Sequence, residues 1–470
     1  MTRIASPARS GGAPVLARAR RTQLRRRLRA ADLIVIAGWS SVAAAVALYL
    51  SSGGLASVVT LSSALSALGI VTGLVGTDFI LLMLLLAARL PFIDRAVGQD
   101  VAMRWHRALG KPALYLILAH LVLLTIGYAV ADQVNVIAET VLLFTTPDMA
   151  IAYLGFGLLL VVVVSSVVAV RRRFPYEVWH AIHLLSYLAV LVALPHQLST
   201  GAVLSHGTAQ RWYWIALYVL TFASVAWFRF TVPLIRSIRH GLRVESVQPV
   251  APGVVSIHLR GRDLDRLNTA GGQYAIWRFW SHGVWWHAHP ISFSAIPTAS
   301  TARVTVRQLG RGSGQLARLS PGTRVTIEGP YGLFTDRART SPRLAIVAAG
   351  IGITPVRTLL EHSSLRAGEA TVLLRGTDES QGYLWDEVVA LGQSARATVY
   401  SMIGRRPAGV DTWMSAEAIA RGVTLASIFP DLASSDLYVC GPPAWTDLVV
   451  RDARTAGIPD LQIHVERFDW

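Results

Sequence analysis

Cysteine is almost missing from this chain: Cys440 is the only one in 470 residues. That excludes an intrachain disulfide framework, and any iron–sulfur or zinc centre that takes four thiolates from one chain. Iron, if held, needs another kind of ligand. Charge is scarce too, at 15% of residues against 53% apolar ones, so the chain is not disordered. The 44 Lys+Arg exceed the 28 Asp+Glu by a formal +16, an unusual pairing of basicity with apolarity for a soluble protein. No calcium-binding or other regulatory insertion is visible. At about 150 residues per domain the length suggests three units, one of them set in lipid.

What is present begins with long apolar runs. A hydrocarbon core of about 30 Å takes about 20 helical residues. Six stretches qualify: Leu33–Leu50, Leu68–Ala88, Pro112–Val130 (extended back to about Arg104), Ile151–Val170, Val178–His196 and Trp212–Leu234. The first is too firmly followed by further spans to be a cleaved signal peptide. Arginine sets the orientation, because cytoplasmic flanks collect positive charge. The tail carries nine arginines. The second loop holds Arg89, Arg95, Arg104, Arg107 and Lys111, the fourth Arg171 to Arg173, and the exit of the last span Arg236, Arg239 and Arg243, whereas the three opposite loops hold only Arg211. Both termini are therefore expected in the cytosol, with the basic tail lying on anionic lipid. Nothing aromatic interleaves with that tail, so nucleic acid is not an expected partner.

Five histidines lie between residues 106 and 196, where ionisable groups are costly and usually functional. His106 and His120 are 14 residues apart, which at about 100° and 1.5 Å per residue places them on one face and about 21 Å apart in depth. His183 and His196, 13 apart, match that depth at about 19.5 Å but miss facial alignment by about 140° in an ideal helix. Pro195 can kink the helix and swing His196 back. The expected pairs are His106 with His183 on the inner side and His120 with His196 on the outer side, with His180 competing for the place of His183. Hydrogen bonding between helices without metal is the plainer alternative. The pattern Trp179, His183, Tyr187, His196 resembles the ferric-reductase transmembrane family, which includes the catalytic core of NADPH oxidases. The resemblance implies two b-type haems, each held by two histidines, with no open position on iron and outer-sphere reduction of an external acceptor.

After Arg243 the texture turns to short alternating runs, Val254–Leu259, Tyr274–Phe279, Pro290–Phe293, Val304–Val306 and Val325–Glu328, which predict an antiparallel β-barrel of about six strands. In order along it stand Gly272–Gln273–Tyr274, His289–Pro290–Ile291–Ser292–Phe293–Ser294, Gly310–Arg311–Gly312–Ser313–Gly314 and Gly329–Pro330–Tyr331–Gly332. Together they resemble the flavin domain of the ferredoxin–NADP reductase superfamily. The resemblance implies that Gln273 and Tyr274 help bind FAD, that Ser292 offers its hydroxyl near flavin N5, that His289 and Pro290 shape the ring site, and that Gly312 and Ser313 give backbone donors to the pyrophosphate. Ile291 replaces a phenylalanine of the family and thins the aromatic cover of the ring. A hairpin rich in tryptophan, Trp277, Trp280, Trp285 and Trp286, has no counterpart in the family pattern; core packing and a seat at the membrane interface are its two readings.

From Arg343 strands alternate with helices: Leu344–Ala348, Thr371–Leu374, Ala397–Met402, Leu437–Val439 and Gln462–Val465, with a helix from about Val356. This predicts a parallel sheet with its ligand at the carboxyl ends. Gly350–Ile351–Gly352–Ile353–Thr354–Pro355 follows the first strand, where glycines let a backbone approach a pyrophosphate and Pro355 suits a first helical turn. Pro355 stands where a dinucleotide fingerprint has its third glycine, which points away from the usual Rossmann dehydrogenase. Arg375, Arg405 and Arg406 follow strand ends and are candidates for a 2′-phosphate, favouring NADPH, with NADH as the alternative. Cys440–Gly441–Pro442 matches the superfamily's Cys-Gly-Pro beside the nicotinamide. The last residues offer Glu466 as a further catalytic candidate and Trp470 as the aromatic that covers the flavin, with Phe468 in reserve.

The expected architecture is thus a multidomain membrane protein: a basic tail (1–32), a six-helix α transmembrane haem-binding bundle (33–235), a β-barrel FAD domain (242–337) and an α/β NAD(P)H-binding domain (343–470). A flavin is the converter between a two-electron hydride donor and one-electron haems. The expected activity carries electrons from cytosolic NADPH through FAD and two haem b groups to a small extracytoplasmic acceptor, ferric chelate or oxygen, at a cell membrane. An electron-transfer subunit serving a protein partner, and a membrane-tethered flavin reductase without haem, are the competing readings. The near-exclusive use of arginine as the basic residue suggests a bacterial source.

Overall fold

A computed structural model of the chain describes residues 13–54, 56–200, 204 and 207–467. Contacts divide the chain into two units, one of Ala30–Thr231 and one formed from Val232 onward with the residues before Ala30. The helices of the first half are α1 (Ala13–Tyr49), α2 (Leu61–Ala87), α3 (Pro91–Val97), α4 (Gln99–Ala131), α5 (Val136–Thr145), α6 (Met149–Ser166), α7 (Val168–Arg171), α8 (Tyr176–Val192), α9 (Leu194–Ser199), α10 (Ala209–Ser224) and α11 (Val232–His240). Six helical stretches among them, Thr22–Gly54, Leu61–Ala87, Gln99–Ala131, Met149–Ser166, Tyr176–Ser199 and Ala209–His240, are long and apolar enough to cross a membrane.

Helix α1 begins well before the apolar run at Leu33, because the Arg, Leu and Ala of the tail are strong helix formers that a hydropathy reading does not register. Within the membrane unit α2 lies tightly on α4. Small residues on α2 permit the approach, as at many helix contacts in lipid. At Gly73 a Cβ would run into the His120 ring, so glycine there is what lets that ring sit against the α2 backbone. Ser62 Oγ donates to the Gly127 carbonyl at 2.8 Å and ties the same two helices further along. Helix α8 ends at Val192 and α9 begins at Leu194 with Pro195 in its first turn, while Ala193 between them keeps helical backbone angles.

In the other unit six strands, β1 (Arg243–Ala251), β2 (Val254–Arg260), β3 (Tyr274–Phe279), β4 (His289–Ala295), β5 (Thr301–Arg307) and β6 (Val325–Tyr331), form an antiparallel sheet in the order β1-β2-β5-β4-β3-β6. Its two ends approach each other, with Arg243 bridged to Arg324 and Val325 N donating to Leu242 O at 2.9 Å. Ile257, Leu259, Trp277, Phe279 and Phe293 fill the inside. Trp277 is therefore core, while Trp280, Trp285 and Trp286 are about half exposed and stack in sequence. The short helix α12 (Arg311–Leu316) follows β5.

Five further strands, β7 (Arg343–Ala349), β8 (Ala370–Gly376), β9 (Thr398–Ile403), β10 (Ser435–Gly441) and β11 (Ile463–Arg467), make a parallel sheet in the order β11-β10-β7-β8-β9. Helices α13 (Ile353–His362), α14 (Trp385–Ser394), α15 (Ala416–Ala420), α16 (Leu425–Ile428) and α17 (Pro443–Thr455) connect them. The chain steps one way from β7 to β9 and the other way from β10 to β11. The strand order thus reverses between β7 and β10, and such a switch point opens a crevice at the carboxyl ends. Helix α13 begins three residues before the expected start, with Pro355 in its first turn.

Two side-chain systems fasten the sheets together. Gly272 N donates to Thr358 Oγ1 of α13 at 2.9 Å. Arg303 of β5 forks onto both oxygens of Glu387 in α14 at 2.9 and 2.8 Å, and Arg357 Nε reaches the same carboxylate at 2.5 Å. Burial would raise the Glu387 pKa, but the two arginines outweigh it and hold the carboxyl below its usual range. A depressed carboxylate pKa gives stability that is complete above the unfolded pKa and is lost as pH falls through the folded one. The Glu387→Gln variant should therefore lose about 1 kcal/mol at neutral pH, given partial solvent screening. As pH falls through the depressed folded pKa its melting curve should converge on that of the parent, which thermal melts across acid pH will show.

Candidate functional site

In the membrane unit, four histidines fall into two pairs. His106 Nδ1 donates to the Met83 carbonyl at 3.0 Å, and His120 Nδ1 donates to the Gly69 carbonyl at 2.8 Å. A carbonyl only accepts, so each ring carries its proton on Nδ1 and leaves Nε2 as a bare lone pair, the tautomer a metal ligand needs. His183 hydrogen-bonds Ser166 Oγ through Nδ1 at 3.3 Å and stacks on Trp179. The ring centres of His106 and His183 are 6.1 Å apart. Two imidazoles bonded at about 2 Å to opposite sides of one metal have centres about 6 Å apart, so the gap fits one iron. His180 instead stacks flat on Tyr176, with 7° between the planes.

His120 and His196 line one cavity of about 580 Å³ inside the same unit. Its walls are mostly apolar, and its size lies in the range of cofactor pockets. His196 lines it on one helical face with Ala189, Ala193, Gln197 and Thr200. Two carboxyls escaped the sequence reading: Asp78 on α2, whose Oδ1 accepts from Ser41 Oγ at 2.8 Å, and Glu139 on α5. Each stands singly among apolar residues, with no spacing pattern to mark it.

The second site lies where the barrel meets the parallel sheet. Strand pairing sets Tyr274 opposite Ser292 on one side and opposite Tyr331 on the other, so three side chains share one face across β4, β3 and β6. Ser292 is buried and its hydroxyl has no hydrogen-bond partner, an opening that a flavin nitrogen would satisfy. Pro290 shares the face of Ser292. Because side chains alternate along a strand, His289 and Ile291 point the other way, and Ile291 packs on the barrel core. The position where the family has its phenylalanine thus faces the barrel core in this chain. His289 still lies near Gly312, whose Cβ position is 3.6 Å from its ring. The Ser313 hydroxyl accepts from Leu309 N and Gly310 N at 2.9 and 3.1 Å and fixes the turn, which leaves backbone donors of that segment for a phosphate. Gln273 braces the same loops, accepting from Ala270 N at 2.8 Å.

At the switch point, Gly352 passes so near β10 that a Cβ would run into the Cys440 carbonyl. This brings the Gly350–Thr354 turn against Cys440 and Gly441, with Pro442 capping α17. The Thr354 hydroxyl is turned inward onto Ile351 O at 3.0 Å. Cys440 pairs with Glu466 on β11, and Glu466 in turn lies near Gly332 and Tyr274 of the barrel. Burial, then the nearby Glu466, pushes the Cys440 thiol well up, so it stays protonated and is no nucleophile. Two residues unread from the sequence, Tyr383 and Arg307, flank Gly350. Burial lifts the Tyr383 hydroxyl to about 12 while Arg307 pulls it down, and that hydroxyl has no hydrogen-bond partner.

Arg375 is taken up within the fold. It is buried and spends its guanidinium on the carbonyls of Gly376, Met402, Gly404 and Trp413, because its strand end turns under the β9 loop. Arg405 and Arg406 are exposed. Trp470, with Phe468, lies outside the described residues.

Residues 72–194 match the ferric reductase like transmembrane component family. The other half is 35% identical over 181 residues to ferredoxin–NADP reductase B of Sorangium cellulosum, covering 35% of this chain and 70% of that one. Through that match the chain belongs to the ferredoxin–NADP reductase family. This fused reductase is a multi-pass membrane protein and an NAD(P)H-dependent oxidoreductase. It is also 31% identical over 170 residues to the ferredoxin–NAD(+) reductase component of the alkene monooxygenase system of Xanthobacter autotrophicus, covering 34% of this chain and half of that one. Among solved structures it is similar to the flavohaem-like FAD/NAD binding domain of nitric oxide dioxygenase from Vibrio cholerae, at 19% identity and TM-score 0.40, covering 49% of this chain and 99% of that one. The chain spans about half the length of several of these curated relatives.

Removing Arg375 takes a donor from four carbonyls; Gly376 O and Trp413 O keep bonds from Gly404 N and Trp445 Nε1, while those of Met402 and Gly404 lose theirs, at about 1 kcal/mol or more each. Arg375→Ala should therefore destabilise the nucleotide-binding unit by about 2 kcal/mol, read in urea titrations, with no change in the ratio of NADPH to NADH turnover.

Proposed function

We propose that this reductase carries electrons from cytosolic NADPH through FAD and two haem b groups to an acceptor on the outer face of a bacterial cell membrane, ferric chelate and oxygen being the acceptors its family resemblance suggests. The observation that carries the reading is the pair of histidine pairs at two depths, with the Nδ1 of His106 and His120 given to backbone carbonyls and the His106 and His183 rings one iron apart. Bound haem supplies a one-electron carrier at each depth. Bound FAD supplies the conversion of a hydride into single electrons.

The residues divide the work. His106 with His183, and His120 with His196, would hold the two haems, which would supply one-electron carriers. Tyr274 and Tyr331 give the flavin ring a flat apolar bed, the Ser292 hydroxyl donates to it, and Gly312 and Ser313 offer amides to its pyrophosphate. The Gly350–Thr354 turn, Tyr383 and Arg307 receive the nicotinamide nucleotide, with Arg405 and Arg406 on the 2′-phosphate. Cys440 fills the space beside the reacting carbon as a neutral, water-excluding group, and Glu466 borders the same junction. The cytosolic placing of both termini rests on the arginine-rich loops.

A dithionite-reduced spectrum with haem quantitation tests this. The intact protein should hold two haems. His120→Ala and Gly73→Val should each leave one, the second because a larger residue drives the His120 ring from the α2 backbone. A colourless protein, or one haem in the parent, removes the reading. For the nucleotide, replacing Arg405 and Arg406 together by Ala should raise KM for NADPH about tenfold and leave KM for NADH unchanged, as fits the loss of charge-assisted phosphate contacts.

A further inference from the structure

The cavity of the membrane unit is longer than a pair of ligands requires. On α4 its lining runs from Ile117 past His120 to Tyr128 and Asp132. At 1.5 Å per residue, Asp132 lies about 18 Å beyond His120 along the axis. A macrocycle held at His120 and His196 takes up one end. The other end is built by α5, a helix of 10 residues and so about 15 Å long, half the thickness of the hydrocarbon and outside the spans. It brings Leu142, Leu143 and Glu139 to the wall, opposite Met149 and Tyr153 of α6.

Glu139 is only 2% exposed, and its Oε2 has no hydrogen-bond partner. An unpaired oxygen in a cavity wall calls for a donor or a proton. The titratable groups near it are Tyr128 and Asp132 from α4 and Tyr153 from α6, the two helices packed on α5. Burial, and then the Asp132 carboxylate, push the Glu139 carboxyl above its usual range and favour its protonated form. Neither lysine nor arginine lines the cavity among the described residues.

We infer that this far end is the acceptor site, that it takes a neutral quinone-class molecule, and that Glu139 delivers the proton its reduction consumes. The inference rests on the reading that His120 and His196 hold the outer redox centre. An anionic ferric chelate would face two carboxyls and no cation in a low-dielectric wall. Oxygen is too small to need the length, and its one-electron reduction needs no proton. A quinone uses each feature: the flat ring lies between Leu142, Leu143 and Met149, and a carbonyl oxygen meets Glu139. The balance is two electrons, arriving singly from the hydride of NADPH, plus two protons from the outer side. Both carbonyls become hydroxyls. Glu139 gives each proton in turn and regains it from outside water.

The test uses the full-length holoprotein in lipid nanodiscs with NADPH and a short-chain benzoquinone, and with a ferrocenium salt as a one-electron cation that takes no proton. Quinol should form with two protons consumed on the outer side. Leu143→Trp, which fills the far end, should cut quinol formation at least tenfold while the NADPH-reduced haem spectrum is kept. Glu139→Gln should lower the ratio of quinone to ferrocenium reduction about tenfold and abolish the pH dependence of quinol formation, which Glu139→Asp should restore. If NADPH reduces both haems yet no quinol forms, or ferric citrate is reduced faster than the quinone, the acceptor assignment falls and the electron route stands. If Glu139→Gln slows both acceptors equally, the carboxyl only holds α5 in place and the proton role falls. If no haem is reduced in the parent, the underlying route itself fails.

Discussion

The hydrogen bond from an imidazole Nδ1 to a main-chain carbonyl of the neighbouring helix is the interaction on which the membrane unit depends. In hydrocarbon a carbonyl already used by its own helix can still accept a second bond, and a histidine that supplies it is held in one tautomer and one orientation. Met83 and Gly69 do this for His106 and His120. The bond exists only because α2 and α4 approach closely, and the approach exists only because Gly73 presents no side chain to the His120 ring. Helix packing and ligand chemistry are one constraint here. The partner rings come from α8 and α9, His183 stacked on Trp179 and His196 on the cavity-facing side with Ala189 and Ala193.

The two-sheet unit solves a problem of convergence. A nicotinamide must meet a flavin face to face, so residues from two sheets have to arrive at one junction. The reversal of strand order between β7 and β10 opens the crevice, and Gly352 lets the turn after β7 close onto Cys440. Cys440, Glu466, Gly332 and Tyr274 then form a continuous path from the parallel sheet to the barrel. Nothing at this junction is an activated nucleophile, because burial keeps the thiol neutral. What hydride transfer asks of a protein is position and the exclusion of water, and those are what buried, uncharged groups supply. The Arg303–Glu387–Arg357 system keeps the two sheets from sliding apart.

Much of this was legible in the residues because the signals are periodic or paired. All six spans and all five strands of the parallel sheet follow from apolar runs, and the histidine pairs follow from matched depth. What escaped has physical causes. The first helix extends through the basic tail since propensity, not hydropathy, sets its start. Ile291 turns inward because strand alternation decides which side of a motif meets a ligand. Arg375 follows a strand end as a phosphate ligand should, yet the loop after β9 folds over it and claims its donors. Asp78, Glu139, Tyr383 and Arg307 become neighbours of their sites only through contacts between distant segments. No local pattern announces such residues.

On the proposed route the membrane potential is part of the driving force. An electron moving outward from a negative interior gains about 2.3 kcal/mol per 100 mV, so a two-electron acceptor gains about 4.6 kcal/mol per 100 mV. Taking the accompanying protons from the outer side adds no charge movement across the hydrocarbon, so none of that gain is returned. A carboxyl at the outer end is suited to this: it is neutral when charged species would be expelled from the cavity, and it can be recharged with a proton from the adjacent water. A lysine in its place would hold its proton too firmly to give it up, and would attract anions instead. A buried glutamate with Asp132 beside it, and no cation lining that end among the described residues, suits an acceptor that is neutral when it arrives and when it leaves.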